Sequence, residues 1–140
     1  MGQGPFGVVC DAISVDEVVS RLADPAVGAM VTFVGVVRGS TDGRETLYLE
    51  YEAYPEMAVE TLDQVGREVR QRWPEVRQVA IVHRLGRLEV GETAIVIALS
   101  AAHRRQTFDA LHYAIDRIKE IVPIWKREVW ADGTEWKSEQ

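Results

Sequence analysis

A single cysteine in 140 residues, Cys10, excludes an internal disulfide and a cysteine-cluster zinc site. Histidine is scarce as well. His83, His103 and His112 stand apart in the chain without a metal-ligand spacing, so no metal and no cofactor is expected. Apolar runs such as "AIVIALSAA" are strand-sized, far short of the roughly 20 residues a membrane helix needs. The start, "MGQGPFGVVC", has neither a basic n-region nor a long apolar core, and Phe6 stands where a myristoylation signal wants Ser or Thr. Absent too are a GxSxG elbow, a Walker loop and a GxGxxG turn. The expectation is one cytoplasmic domain over residues 1–140, long enough to bury its core without staples.

A formal net charge of −6 gives no general nucleic-acid footprint. The charge is uneven, however. Residues 1–70 carry 12 acidic against 5 basic side chains, whereas residues 71–130 carry 10 basic against 7 acidic ones. The local basic excess suits a small anionic ligand, although such an excess is also the ordinary state of a solvated face.

Along the chain, "FGVVCDAIS" reads as an opening strand that buries Cys10 as a structural thiol. Ser14 with Glu17 three residues on forms a capping-box signature for a short helix. "GAMVTFVGVVR" is a strand, "GSTDGRE" a loop, and "TLYLEYEAY" a strand paired with the preceding one. Pro55 opens a helix whose buried face is Ala58, Leu62, Val65, Val69 and Trp73, and Pro74 ends it. "VRQVAIVHRLG" and "TAIVIALSAA" are strands around a turn, "RLEVGE". A last long helix has Phe108, Leu111, Ile115, Ile118 and Val122 on its core face and stops at Pro123. "IWKREVW" alternates as a strand, and "ADGTEW" turns into a final short one. This order predicts an α+β domain with about three helices and a mixed, largely antiparallel sheet.

The chemistry gathers at "IKEIVPIWKREVW". Lys119 lies one residue past Ile118, on the edge of the helix's core face. Lys126 shares a strand face with Ile124, Glu128 and Trp130, while Trp125 and Arg127 point the other way. The turn at Pro123 allows the two lysines to converge on one pocket. The plainer alternative pairs Lys119 with Asp116 and Lys126 with a cross-strand carboxylate. His103, Arg104 and Arg105 precede a helix start, where an anion is favoured and arginine binds phosphate through two hydrogen bonds. Polar helix entry explains them equally well. Arg38 ends a strand before a loop and is a third candidate. His83 and Arg84 form a weaker strand-end pair, and His112 reads as structural.

"GAMVTFVGVVR", "LEYEAYPEMA", "VAIVHRLGRLEVGE", "SAAHRRQTFDALHYAIDRIKEIVPIWKRE" and "DGTEW" occur in that order over residues 28–136. Together they resemble the large, catalytic subunit of the molybdopterin synthase family. The resemblance implies an α/β-hammerhead-like fold and a homodimer. Each protomer would bind a small ubiquitin-like subunit, giving a heterotetramer. It also implies sulfurtransferase activity in molybdenum cofactor biosynthesis. A thiocarboxylate on the small subunit's Gly-Gly terminus would supply the two dithiolene sulfurs that turn cyclic pyranopterin monophosphate (precursor Z) into molybdopterin.

The family's essential last-helix lysine falls on Lys119, the lysine of its "WK" motif on Lys126, its His-Arg pair on His103 and Arg104, and its strand-end arginine on Arg38. The implied catalytic residues are Lys119 and Lys126. Both also count as substrate-binding, with Arg38, His103, Arg104 and Arg127. A lysine desolvated among Trp125, Ile124 and Phe33 would serve as general acid/base, as a transient amine or as an oxyanion stabiliser. Two departures stand out: Trp136 is followed only by "KSEQ", leaving Lys137 as the sole basic tail residue, and the small subunit is not fused. Competing readings are a non-catalytic phosphopterin- or nucleotide-binding module, and a scaffold that docks a ubiquitin-like partner on a strand edge.

Overall fold

Alternating and helical patterns resolve into strands β1 (Phe6–Val9), β2 (Ala29–Val36), β3 (Ser40–Thr41), β4 (Arg44–Ala53), β5 (Val76–Arg84), β6 (Gly86–Glu89), β7 (Thr93–Ala101), β8 (Ile124–Trp130) and β9 (Glu135–Glu139), with helices α1 (Val15–Ser20), α2 (Pro55–Arg72) and α3 (Thr107–Ile121). The computed structural model describes residues 4–139; the "MGQ" of the N-terminal reading and Gln140 lie outside the described residues. Local chemistry sets the helix ends. The Glu17 amide donates to Ser14 Oγ at 3.2 Å, and Pro55 occupies the first turn of α2, where its missing N–H costs nothing. Prolines 74 and 123 lie just beyond the ends of α2 and α3.

A four-stranded sheet runs β1-β5-β7-β2, with β1 parallel to β5 and the other neighbours antiparallel. Its central strands are buried on both faces, which explains the unbroken apolar run of β7. Ile97 and Leu99 pack with Leu62, Val65 and Val69 of α2 and Ile118 of α3, while Val96 and Ala98 meet Val18 of α1 and Leu22 just beyond it. Each such buried aliphatic side chain contributes roughly 1.5–3 kcal/mol. A polar clasp also joins the two long helices. Glu68 on α2 accepts from Tyr113 Oη at 2.6 Å and from Arg117 Nε at 2.8 Å, and these hydrogen bonds lower its pKa to about 2.

The second sheet, β3-β4-β8-β9 with β6 on the other side of β4, departs from several expectations. β4 does not pair with β2. β2 spends its ladder on β7, from Ala29 opposite Ala101 to Val36 opposite Thr93, and β4 pairs with β8 and β6. The "GSTDGRE" loop is a hairpin: Asp42 and Gly43 both have positive φ, 52° and 80°, the geometry a two-residue turn needs for Thr41 to pair with Arg44. "RLEVGE" contributes β6, reached through Gly86 at φ 91°.

Two burial expectations also fail. Phe108 is exposed, because α3 packs through Ile118 and the small residues Thr107, Ala110 and Ala114, which admit the sheet closely, and Phe108 is turned about 100° from Thr107. Cys10 is exposed, one residue beyond the end of β1.

Candidate active site at the Pro123 corner

Val122 leaves α3 in an extended conformation, and Ile124 begins β8 at once. The corner brings Lys119 and Lys126 to two adjoining cavities. The first, about 150 Å³, is lined by Phe33, Gly35, Tyr51, Ile97, Ile115 and Lys119 among others. The second, about 90 Å³, is lined by Arg38, Thr41, Leu49, Tyr51, Lys126 and Glu128, with Val36. Tyr51 and Val36 belong to both, so a single wall separates the lysines. Arg38, two residues past β2, completes a cationic trio.

The alternation on β8 is as expected: Ile124, Glu128 and Trp130 are buried and Lys126 half-buried on that face. Lys126 Nζ lies 6.0 Å from the centre of the Trp136 ring. Lys119 is exposed, not desolvated among Trp125 and Ile124, and it does not pair with Asp116, which meets His112 at 3.5 Å. Arg127 faces the other side of the sheet, where Glu50 and Glu135 hold it by ion pairs. With Lys137, Trp125 and Lys126 it borders a broad recess of about 580 Å³.

His103 and Arg104 are not part of this corner. They are exposed and line a separate recess of about 620 Å³ with Glu75, Arg105 and Gln106, before the start of α3. Lys119 lies twelve residues beyond Thr107 on that helix, about 18 Å along its axis. One small substrate therefore cannot touch both ends within one chain.

Two residues given no role from the sequence prove central. Glu128 is buried, and its Oε2 accepts from Thr46 Oγ1 at 2.7 Å, Thr41 Oγ1 at 2.8 Å and Trp130 Nε1 at 2.9 Å. Burial opposes its charge, but these three donors and the nearby Lys126 outweigh that and hold its pKa below the usual carboxylate value. Its place on the buried face of an alternating strand was the available signal. Tyr51 is buried too, and its phenol is pushed up to about 12, first by burial and then by the Glu128 charge. Its ring meets that of His83 edge-on at 4.7 Å.

This arrangement defines a class: an α+β protein with cationic side chains, backed by a neutral phenol and a fixed carboxylate, at a cleft whose charge suits a small anionic compound. The family model described as "MoaE protein" matches residues 8–121. Among curated proteins, the molybdopterin synthase catalytic subunit of Halalkalibacterium halodurans is 51% identical over 135 residues, covering 96% of this chain and 86% of its own. That of Bacillus subtilis is 45% identical over 135 residues, covering 96% and 85%. A crystal structure of molybdopterin synthase from Staphylococcus aureus superposes with a TM-score of 0.93 at 42% identity, over 99% of both chains. The chain belongs to the MoaE family of molybdopterin synthase catalytic subunits, enzymes of molybdenum cofactor biosynthesis. Among the described residues, no helix is long and apolar enough to cross a membrane.

Proposed function

We propose that the Pro123 corner is where sulfur passes from the C-terminal thiocarboxylate of a small ubiquitin-like subunit to cyclic pyranopterin monophosphate, in two rounds that yield molybdopterin. The observation that carries this reading is the placement of Lys119 and Lys126 on adjoining cavities with a common wall of Tyr51 and Val36. No cysteine nucleophile is required, because the sulfur arrives on the partner. The lysines balance negative charge on the thiocarboxylate and on oxygens that gain charge as the acyl–sulfur bond breaks. Arg38, beside Lys126, is suited to the substrate's phosphate.

His103 and Arg104 sit at the far end of α3, so they can join the same substrate only from the second protomer of a homodimer. That arrangement, with one small subunit on each protomer, is the working heterotetramer of this proposal. Arg127, occupied by Glu50 and Glu135, contributes by shaping the recess beside Lys126 rather than by gripping substrate directly. The chain acts as one catalytic domain in the cytoplasm.

The test mixes the protein with thiocarboxylated small subunit and precursor Z, and measures molybdopterin as its oxidised fluorescent derivative, alongside Lys119→Ala. Product from the wild type and almost none from the folded variant supports the proposal. Complex formation without product points to a binding module instead. Equal product from both proteins removes Lys119 from the mechanism.

A further inference from the structure

The wall between the two lysines is itself a functional group. Tyr51 stands directly opposite Lys126 in the β4–β8 ladder, so both side chains leave the same face of the sheet. It lines the Lys119 cavity and the Lys126 cavity alike. Its ring is held on one side by His83, yet its hydroxyl has no hydrogen-bond partner among the described residues. A largely buried phenol that lines both cavities, with no protein partner for its hydroxyl among the described residues, is placed to donate to a group bound there.

We propose that the Tyr51 hydroxyl is a third catalytic group of the cleft, a neutral donor to the acyl oxygen of the sulfur-bearing partner terminus. This rests on the sulfur-transfer reading above. Once the terminal sulfur is bonded to a substrate carbon, the partner and substrate are joined as a thioester. Water adds to the acyl carbon, and the carbonyl electrons move onto oxygen. Collapse of that tetrahedral species breaks the acyl carbon–sulfur bond. The sulfur keeps the bonding pair and stays with the substrate as a thiolate, and the partner leaves as a carboxylate. The two protons of the water pass to solvent. Tyr51 donates a hydrogen bond to the transient oxyanion and keeps its own proton throughout. Its raised pKa suits that role, since the phenol remains a donor across the neutral range and cannot act as a base there.

The decisive variant is Tyr51→Phe, which retains the ring against His83 and removes only the hydroxyl. With the reconstituted enzyme, thiocarboxylated small subunit and precursor Z, kcat should fall roughly 10- to 100-fold with KM little changed, the pattern of a donor used only as charge develops. Mass spectrometry should then detect the joined partner–substrate adduct accumulating. Wild-type kcat in the folded variant would overturn the proposal, as would a rise in KM alone.

If Tyr51→Phe does not fold, 3,5-difluorotyrosine placed at position 51 preserves both ring and hydroxyl but ionises more readily. A donor role predicts that activity is lost at lower pH on the alkaline side than in the wild type. The charged and titratable groups around it, Lys126 and Glu128 on β8, Lys119 on α3, His83 on β5 and Arg38 after β2, are identical in both proteins. An unmoved alkaline limb would overturn the proposal. Failure of the wild type to form product would instead count against the sulfur-transfer reading itself.

Discussion

The indole N–H of Trp130 donates to Glu128 Oε2 at 2.9 Å, the same oxygen that takes the hydroxyls of Thr41 and Thr46. One carboxylate oxygen thus ties the 40s hairpin, β4 and β8 together behind Lys126. Glu128→Ala strands three donors at once, two of them on the buried residues Thr46 and Trp130, and should cost about 3 kcal/mol in urea unfolding. Glu128→Gln preserves an acceptor oxygen but not the charge, and should cost about 1 kcal/mol. Because the pKa of Glu128 is lowered on folding, its contribution is complete above the carboxylate's unfolded pKa. It is lost as pH falls through the folded value, so the Gln variant should differ less from wild type in acid.

His83 should make stability pH-dependent in a different window. It is fully buried, with Nδ1–H donating to the Arg84 carbonyl at 2.8 Å, and Nε2 has no partner among the described residues. Burial lowers its pKa from 6.5 to about 4, in spite of the hydrogen bond to Arg84. The unfolded chain therefore binds a proton at a higher pH than the folded one. Stability from the neutral ring is complete above about 6.5 and declines as pH drops towards 4, by about 2 kcal/mol between pH 7 and 5. His83→Phe, which preserves a ring against Tyr51, should flatten the unfolding free energy over that interval. An unchanged pH slope would mean that another group titrates there.

Gly66 should tolerate no larger residue, for reasons of space alone. A Cβ at this position on α2 would lie 2.4 Å from Phe6 Cζ and 2.8 Å from Cε1. Alanine gains up to ~1 kcal/mol of helix propensity over glycine. Against that, the Phe6 ring must leave its seat and β1 shifts with it, so Gly66→Ala should cost ~1–3 kcal/mol net. In a Phe6→Leu background the same substitution should cost less, and a double-mutant cycle measures the difference.

Much of the fold was legible because its signals are local. Ser14 with Glu17, Pro55, Pro74 and Pro123 mark helix ends through the backbone donors they satisfy or lack, and each holds in the structure. The Asp42-Gly43 hairpin was legible in principle, since that dipeptide favours positive φ, but a two-residue strand gives too short an alternation to notice. Phe108 misled because its helix packs through alanines and a threonine, where hydrophobicity alone points to the larger side chain.

Strand pairing lay beyond reach for a different reason. Alternation says which way a side chain points, not which strand lies opposite. Placing Tyr51 against Lys126 needs the β4–β8 register, and β4 was expected to pair with β2. The sequence by itself determined the helices, their stops, the basic corner around Pro123 and, through its motifs, the MoaE family. Only the tertiary structure decided that Lys119 and Lys126 share a wall, that Glu128 is fixed by three donors, and that His103 and Arg104 stand at the other end of α3. Those relationships join residues far apart in the chain, and they exist only once packing and sheet register have brought the elements together.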